Sequence, residues 1–199
     1  QKQVAALGSG LQSIGKGITA AVTAPVVGIG TAAVGTAVSF LSLRESAQTA
    51  FETMLGSGEA ASKMIGDLYT FAKKTPFKFD GMLESSQQLI SMGMAADNVI
   101  PTLTAVGDAA AASGKGQEGF KAITTALGKM QAQGQVSLDD LWSLSDNGVQ
   151  ALQILANKSG QSIEDMKKAI SDGTVDANWA IQALVEGIED GTDGMAGQT

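Results

Sequence analysis

The pattern of apolar and polar positions changes character near residue 45. Downstream of it, apolar residues recur at helical spacing. Ala61, Met64, Ile65, Leu68, Phe71 and Ala72 share one helix face. Pro76 ends that helix, because a proline pushes the residue before it, Thr75, out of the helical region. A second helix is expected near 80–92, with Met82, Leu83, Leu89 and Ile90 inward. Asp97 or Asn98 is placed to cap a third, which carries Ile100, Leu103 and Val106 into the alanines at 109–112. After a Gly-rich loop at 113–116, a fourth carries Phe120, Ile123, Leu127 and Met130 and stops at Gly134. Ser137 with Asp140, and Ser162 with Asp165, form near capping boxes: the serine accepts from an early amide and the aspartate reaches back. The stretch from Asn157 to Gly160 and the Asp172-Gly173 pair read as helix stops. A last helix is expected from about Ala177 to Ile188, with Trp179, Leu184, Val185 and Ile188. No convincing strand alternation occurs.

Upstream the pattern is different. From Gly17 to Leu43 no residue is charged, with Lys16 and Arg44 on the flanks. The run is long enough for a membrane span, which needs ~20 apolar residues. Pro25 fits the first helical position, which leaves about 19 residues to Leu43, still close to spanning length. Ala20, Ala24, Gly28, Ala32 and Thr36 recur every fourth residue and form a smooth stripe that lets another helix approach closely. Two readings follow: an insertable or self-associating helix, or a helix buried against protein in an oligomer. The expected architecture is therefore all-α, an apolar N-terminal helix over residues 1–45 followed by a compact bundle of short helices over 46–199.

Composition narrows the chemistry. The chain has 199 residues, no cysteine and no histidine. That removes disulfides, thiol nucleophiles, Cys/His zinc sites and imidazole catalysis together. The net charge of −7 argues against direct nucleic-acid binding. The chain starts at Gln1 rather than Met, and is expected to be part of something longer.

Motifs for catalysis are near misses. Gly10 to Gly17 resembles a phosphate-binding loop, but Gly17 stands where Ser or Thr would hold magnesium. Gly56-Ser57-Gly58 lacks the strand a dinucleotide turn needs and reads as a helix entry. The adjacent carboxylates Asp139/Asp140, Glu164/Asp165 and Glu189/Asp190 point in different directions on a helix. The first two pairs read better as charges opposing a helix dipole. Asp190 to Gly194 lacks the spacing and distal glutamate of a calcium loop. No metal or cofactor is expected. Most methionines fall on core faces, but Met92 and Met94 around Gly93 are expected as an exposed contact surface. Trp142 and Trp179 are either core or interface anchors, with core the commoner fate of large aromatics on a helix face.

Several stretches resemble the conserved core of phage tail tape measure proteins. They are Phe51-Glu-Thr-Met-Leu-Gly-Ser57, Met64 to Ala72, Thr75-Pro76-Phe77, Val106 to Ala112, Gly134 to Leu141 and Gly148 to Leu155. At the front, Ile14-Gly15-Lys16, Ile18-Thr19 and Thr23-Ala24-Pro25 look like that family's lead-in to an apolar helix. Order and spacing together carry the likeness, over about residues 14 to 188. The resemblance implies a structural virion protein without an active site. Such proteins set tail length while the tube assembles and leave at genome ejection, and their apolar segments reach the host membrane. It implies as partners further copies of the chain, as a trimer or another multiple of tail symmetry, together with tube and distal tail or baseplate proteins. The candidate interface comprises Phe51, Met54, Leu55, Thr75, Pro76, Phe77, Met92, Met94, Trp142 and Trp179. A fully helical chain of this length reaches only ~300 Å, and this one breaks repeatedly, so measuring belongs to other sequence. The competing class is a pore-forming or bacteriocin-like membrane-active protein, resting on Gly17–Leu43; a wall hydrolase is the third.

Overall fold

The computed structural model describes residues 33–191, with side chains from Phe40 onward. The described residues form nine α-helices: α1 (Ala33–Leu55), α2 (Gly58–Ala72), α3 (Phe79–Ser91), α4 (Ala96–Ala112), α5 (Gly116–Gln133), α6 (Leu138–Asp146), α7 (Ala151–Ser159), α8 (Ile163–Ser171) and α9 (Ala177–Glu189). Among them the only β-type pairing is an isolated antiparallel bridge between Gln135 and Asp176. The chain divides into two compact units, Gln1–Leu43 and Arg44–Thr199, and the bundle belongs to the second.

In the bundle α5 is central, with α3, α4, α6 and α9 around it. Its sequence explains the position. Phe120, Ile123, Leu127 and Met130 supply an apolar stripe, and Gly119, Ala126 and Gly128 bring neighbouring helices close on adjoining faces. The buried Thr124 hydroxyl is satisfied by donating to Phe120 O at 2.8 Å. α9 packs on α4 and α7 through Ala177, Ala180, Leu184 and Gly187, a narrow seam of mostly small residues. Pro101 stands inside α4. It removes one amide donor, and a proline this near a helix start is tolerated better than one at mid-helix.

Several boundaries differ from those expected. The Pro25–Leu43 helix falls mainly outside the described residues, as do Ala20, Ala24, Pro25, Gly28 and Ala32; Thr36 lies in α1. α1 does not end with the uncharged run. It continues through Arg44 and Glu45 to Leu55, because Glu45 is solvent-exposed while Ala47 and Phe51 turn inward. Residue 45, where the two parts are expected to meet, lies inside this helix, as does the division of the chain between Leu43 and Arg44. α4 begins at Ala96, after an extended Ala95, and no side chain caps it. Asp97 sits within its first turn, where its charge still opposes the dipole.

The serine caps form, with a change of partner. Ser137 Oγ accepts from Asp140 N at 3.2 Å, and Ser162 Oγ accepts from Asp165 N at 3.1 Å. Each aspartate then accepts from the serine hydroxyl, at 2.5 and 2.7 Å, instead of reaching the serine's backbone amide. Aspartate is one methylene shorter than the glutamate of the usual box. Gly134 and Gly160 end α5 and α7 in the left-handed region, as their positions predict.

Candidate contact surface

The turn after α2 is built by Thr75-Pro76-Phe77. Pro76 is exposed and Thr75 half-buried, and together they reverse the chain so that Phe77 enters the core. There its ring lies 4.7 Å from that of Phe120 on α5, tilted by 32°. Phe77 is therefore an internal plug. Phe51 is likewise fully buried. Both leave the candidate interface: the apolar mass that suggested contact is spent inside the same chain.

Met94 is corrected in the same way. Gly93 takes a φ of 97°, which lets the Met94 amide donate back to Leu89 O at 3.0 Å. This wrap drives Met94 into the core. Met92 is half-buried, and its sulfur lies over Gly128 of α5, where a Cβ would stand 2.4 Å away. Met94 is thus spent inside the chain, whereas Met92 sets its sulfur against α5 with part of its side chain still at the surface.

The tryptophans go the other way. Trp142 is 54% exposed and Trp179 39% exposed, so neither takes the core fate, the commoner of the two the sequence allowed, and both remain in the candidate interface. On α6 the inward residues are Leu141 and Leu144, and Trp142 points off that line. On α9 the inward seam begins at Ala177 and Ala180, which leaves Trp179 on its shoulder. The Trp179 amide is fixed by donating to Asp176 Oδ1 at 2.9 Å. Met54 is 41% exposed near the end of α1, with Leu55 beside it half-buried. Tyr69 and Ile163 add exposed apolar surface that the sequence reading did not single out. Tyr69 meets Phe79 edge-on at 5.6 Å, and Lys73 Nζ stands 5.5 Å from its ring centre. Among the described residues the surface presents separate aromatic and thioether side chains, without a single deep cleft.

The charged groups have structural duties. Asp139 and Asp140 open α6, and Glu164 and Asp165 open α8. Lys158 of α7 ties to α9 through Asp190 at 2.8 Å and Glu186 at 3.6 Å. The hydrogen bond to Asp190 holds the Lys158 ammonium pKa above its ordinary value, against a partial loss of hydration. Among the described residues no group of acidic side chains is placed to hold a metal. The surface has shallow grooves, one of about 380 Å³ between α4 and α9, floored by Met94, Pro101 and Ile181 and edged by Glu186 and Glu189.

The tape measure protein family matches residues 35–199, most of the chain. The chain belongs to the tape measure protein family. It is also 26% identical over 203 aligned residues to the Mu-like prophage FluMu protein gp42 of Haemophilus influenzae, an alignment covering 98% of this chain and 30% of that protein. The chain thus spans about a third of the length of that curated relative. No solved structure matches it. Membership makes this tape measure chain a structural component of the phage tail, and its described residues show the helical part that the family match covers. No helix among the described residues is long and apolar enough to cross a membrane. The expected transmembrane helix is thus without support there, and most of Gly17–Leu43 lies outside those residues.

Proposed function

We propose that this chain is the contact-making portion of a tape measure protein that sets tail length during tube assembly and is released at genome ejection. The supporting observation is the family match over a segment folded into short helices. The longest helix wholly within the second unit, α5, has 18 residues and is ~27 Å long at ~1.5 Å per residue. A ruler spends its residues on length; this segment spends them on a core. The ruler then belongs to other sequence, and the bundle docks further copies of the chain and tube, distal tail or baseplate proteins through Met54, Trp142 and Trp179. The uncharged Gly17–Leu43 run is the part assigned to the host membrane on infection.

The test is tail length by electron microscopy. An insertion of about 20 residues in the exposed turn after Gly160 would add ~30 Å if this segment measured length. The proposal expects tails of unchanged length, and expects deletions outside this segment to shorten them by ~1.5 Å per residue. Tails lengthened by the Gly160 insertion would overturn it.

A further inference from the structure

A groove of about 330 Å³ runs between the first turns of α3 and α5, lined by Lys78, Gly81 and Ser85 on one side and Gln117 and Lys121 on the other. Ser85 is only 3% exposed, yet its hydroxyl bonds to no described residue. A buried serine in a helix ordinarily donates to a carbonyl one turn earlier. Ser86 and Ser91 of the same helix do so, to Met82 O at 2.7 Å and Gln88 O at 2.8 Å. Ser85 instead leaves its hydroxyl at the groove wall, and a buried polar group without a partner calls for a reason.

Gln117 adds a second free donor. Its Oε1 accepts from Lys78 N at 3.1 Å, which caps the start of α3 from another helix and leaves Nε2 as the outward end of the amide. Nε2 lies against Gly81, 2.3 Å from where a Cβ would stand, and donates to no described residue. The two carboxylates at the rim are already engaged. Asp80 Oδ1 accepts from Gly81 N, and Glu84 Oε1 from Lys121 Nζ, both at 2.8 Å. Positive charge continues along the turn before α3. Lys73, Lys74 and Lys78 are exposed, and no acidic residue occurs between Asp67 and Asp80. None of the three lysines forms an ion pair with a described residue. In a chain of net charge −7 this is a local reversal of sign.

We propose that this groove and the lysine turn beside it dock an acidic peptide segment of a partner protein. One carboxylate of the segment accepts from Ser85 Oγ and Gln117 Nε2 within the groove, and its neighbours meet the lysines of the turn. Spaced carboxylates fit here better than a nucleic-acid backbone. Asp80 and Glu84 at the rim would repel a strand that carries a phosphate at every step. The site uses none of Met54, Trp142 and Trp179, so it stands or falls apart from the tail reading.

Hexaglutamate titrated into the isotope-labelled chain at low salt tests this by NMR. The Gln117 side-chain amide and the backbone amides of Lys78, Gly81 and Ser85 should shift together and saturate. Those of Lys167 and Lys168, exposed lysines on α8, should stay still. Gln117→Glu keeps an oxygen for Lys78 N but replaces the free donor by a like charge. Ser85→Ala removes a hydroxyl that no described residue uses. Each should weaken hexaglutamate binding at least about tenfold, with Tm unchanged or raised, since neither takes a partner from the fold. Lys167→Gln should leave the affinity unchanged. Binding indifferent to either groove substitution would overturn the proposal, as would shifts at Lys167 and Lys168 equal to those in the groove. So would oligothymidylate binding more tightly than hexaglutamate, or no binding up to millimolar peptide. A fall in Tm on Ser85→Ala would also overturn it, because the hydroxyl would then have its partner inside the chain.

Discussion

Gly187 lies where α9 packs on α7, and it allows a worked test of that packing. A Cβ there would stand 2.3 Å from Ile154 Cγ2 and 3.4 Å from Ile154 Cβ. Ile154 is buried, and a β-branched side chain in a helix holds one strongly preferred rotamer, so its methyl cannot swing aside. Relief requires the helices to move apart, and overpacking of this kind costs about 1–3 kcal/mol. Alanine returns about 1 kcal/mol of helix propensity. Gly187→Ala should therefore lose roughly 1 kcal/mol net, a fall in Tm of about 2–4 °C for a chain of this size. Gly66 in α2 is the control, because a Cβ there meets nothing within 4 Å. Gly66→Ala should gain about 0.5–1 kcal/mol. Urea unfolding followed by far-UV circular dichroism reads both. Ile154→Ala combined with Gly187→Ala should be better than additive, since the clashing methyl is gone. If Gly187→Ala stabilised as much as Gly66→Ala, the α7–α9 packing described here would be wrong.

Other substitutions separate core, cap and surface. Ser137→Ala and Ser162→Ala should each cost about 1 kcal/mol in the same urea assay. Ser137→Ala should cost more, because Asp140 is buried and loses its hydroxyl donor whereas Asp165 is exposed. Phe77→Ala should cost about 3–5 kcal/mol, whereas Trp142→Ala and Trp179→Ala should stay within roughly 0.5 kcal/mol of the parent and weaken association with tail partners in pull-down. The Lys158 tie sets an alkaline limit. Its pKa is raised above the ordinary 10.5 by folding, so its contribution is complete below that value and fades as pH rises through the folded pKa. Thermal melts across that range should show a drop that Lys158→Met lacks.

Much of the fold was legible because its signals are local. The spacing of Ala61 to Ala72, the stop at Pro76 and the glycine at 134 each act within one turn of helix, and each appears where the sequence places it. The continuation of α1 was hidden because Arg44 and Glu45 look like the end of an apolar segment. A helix accepts charges on its solvent face while Ala47 and Phe51 pack. The contact surface was harder to read, since size and apolarity say that a side chain will bury something but not against what. Phe77 and Met94 found partners inside the chain, through a proline turn and a glycine wrap that redirect them. Trp142 and Trp179 fell one position off the inward line of their helices. That offset is visible in the spacing of Leu141 with Leu144 and of Ala177 with Ala180, once small residues are allowed to define a seam.

Cryo-electron microscopy of intact tails carrying this protein tests the central claim most directly. Density for α3 to α9 should appear as a compact bundle at one end of the tube, with the Phe77–Phe120 contact inside it. The same residues drawn out as continuous helix along the lumen would contradict the account.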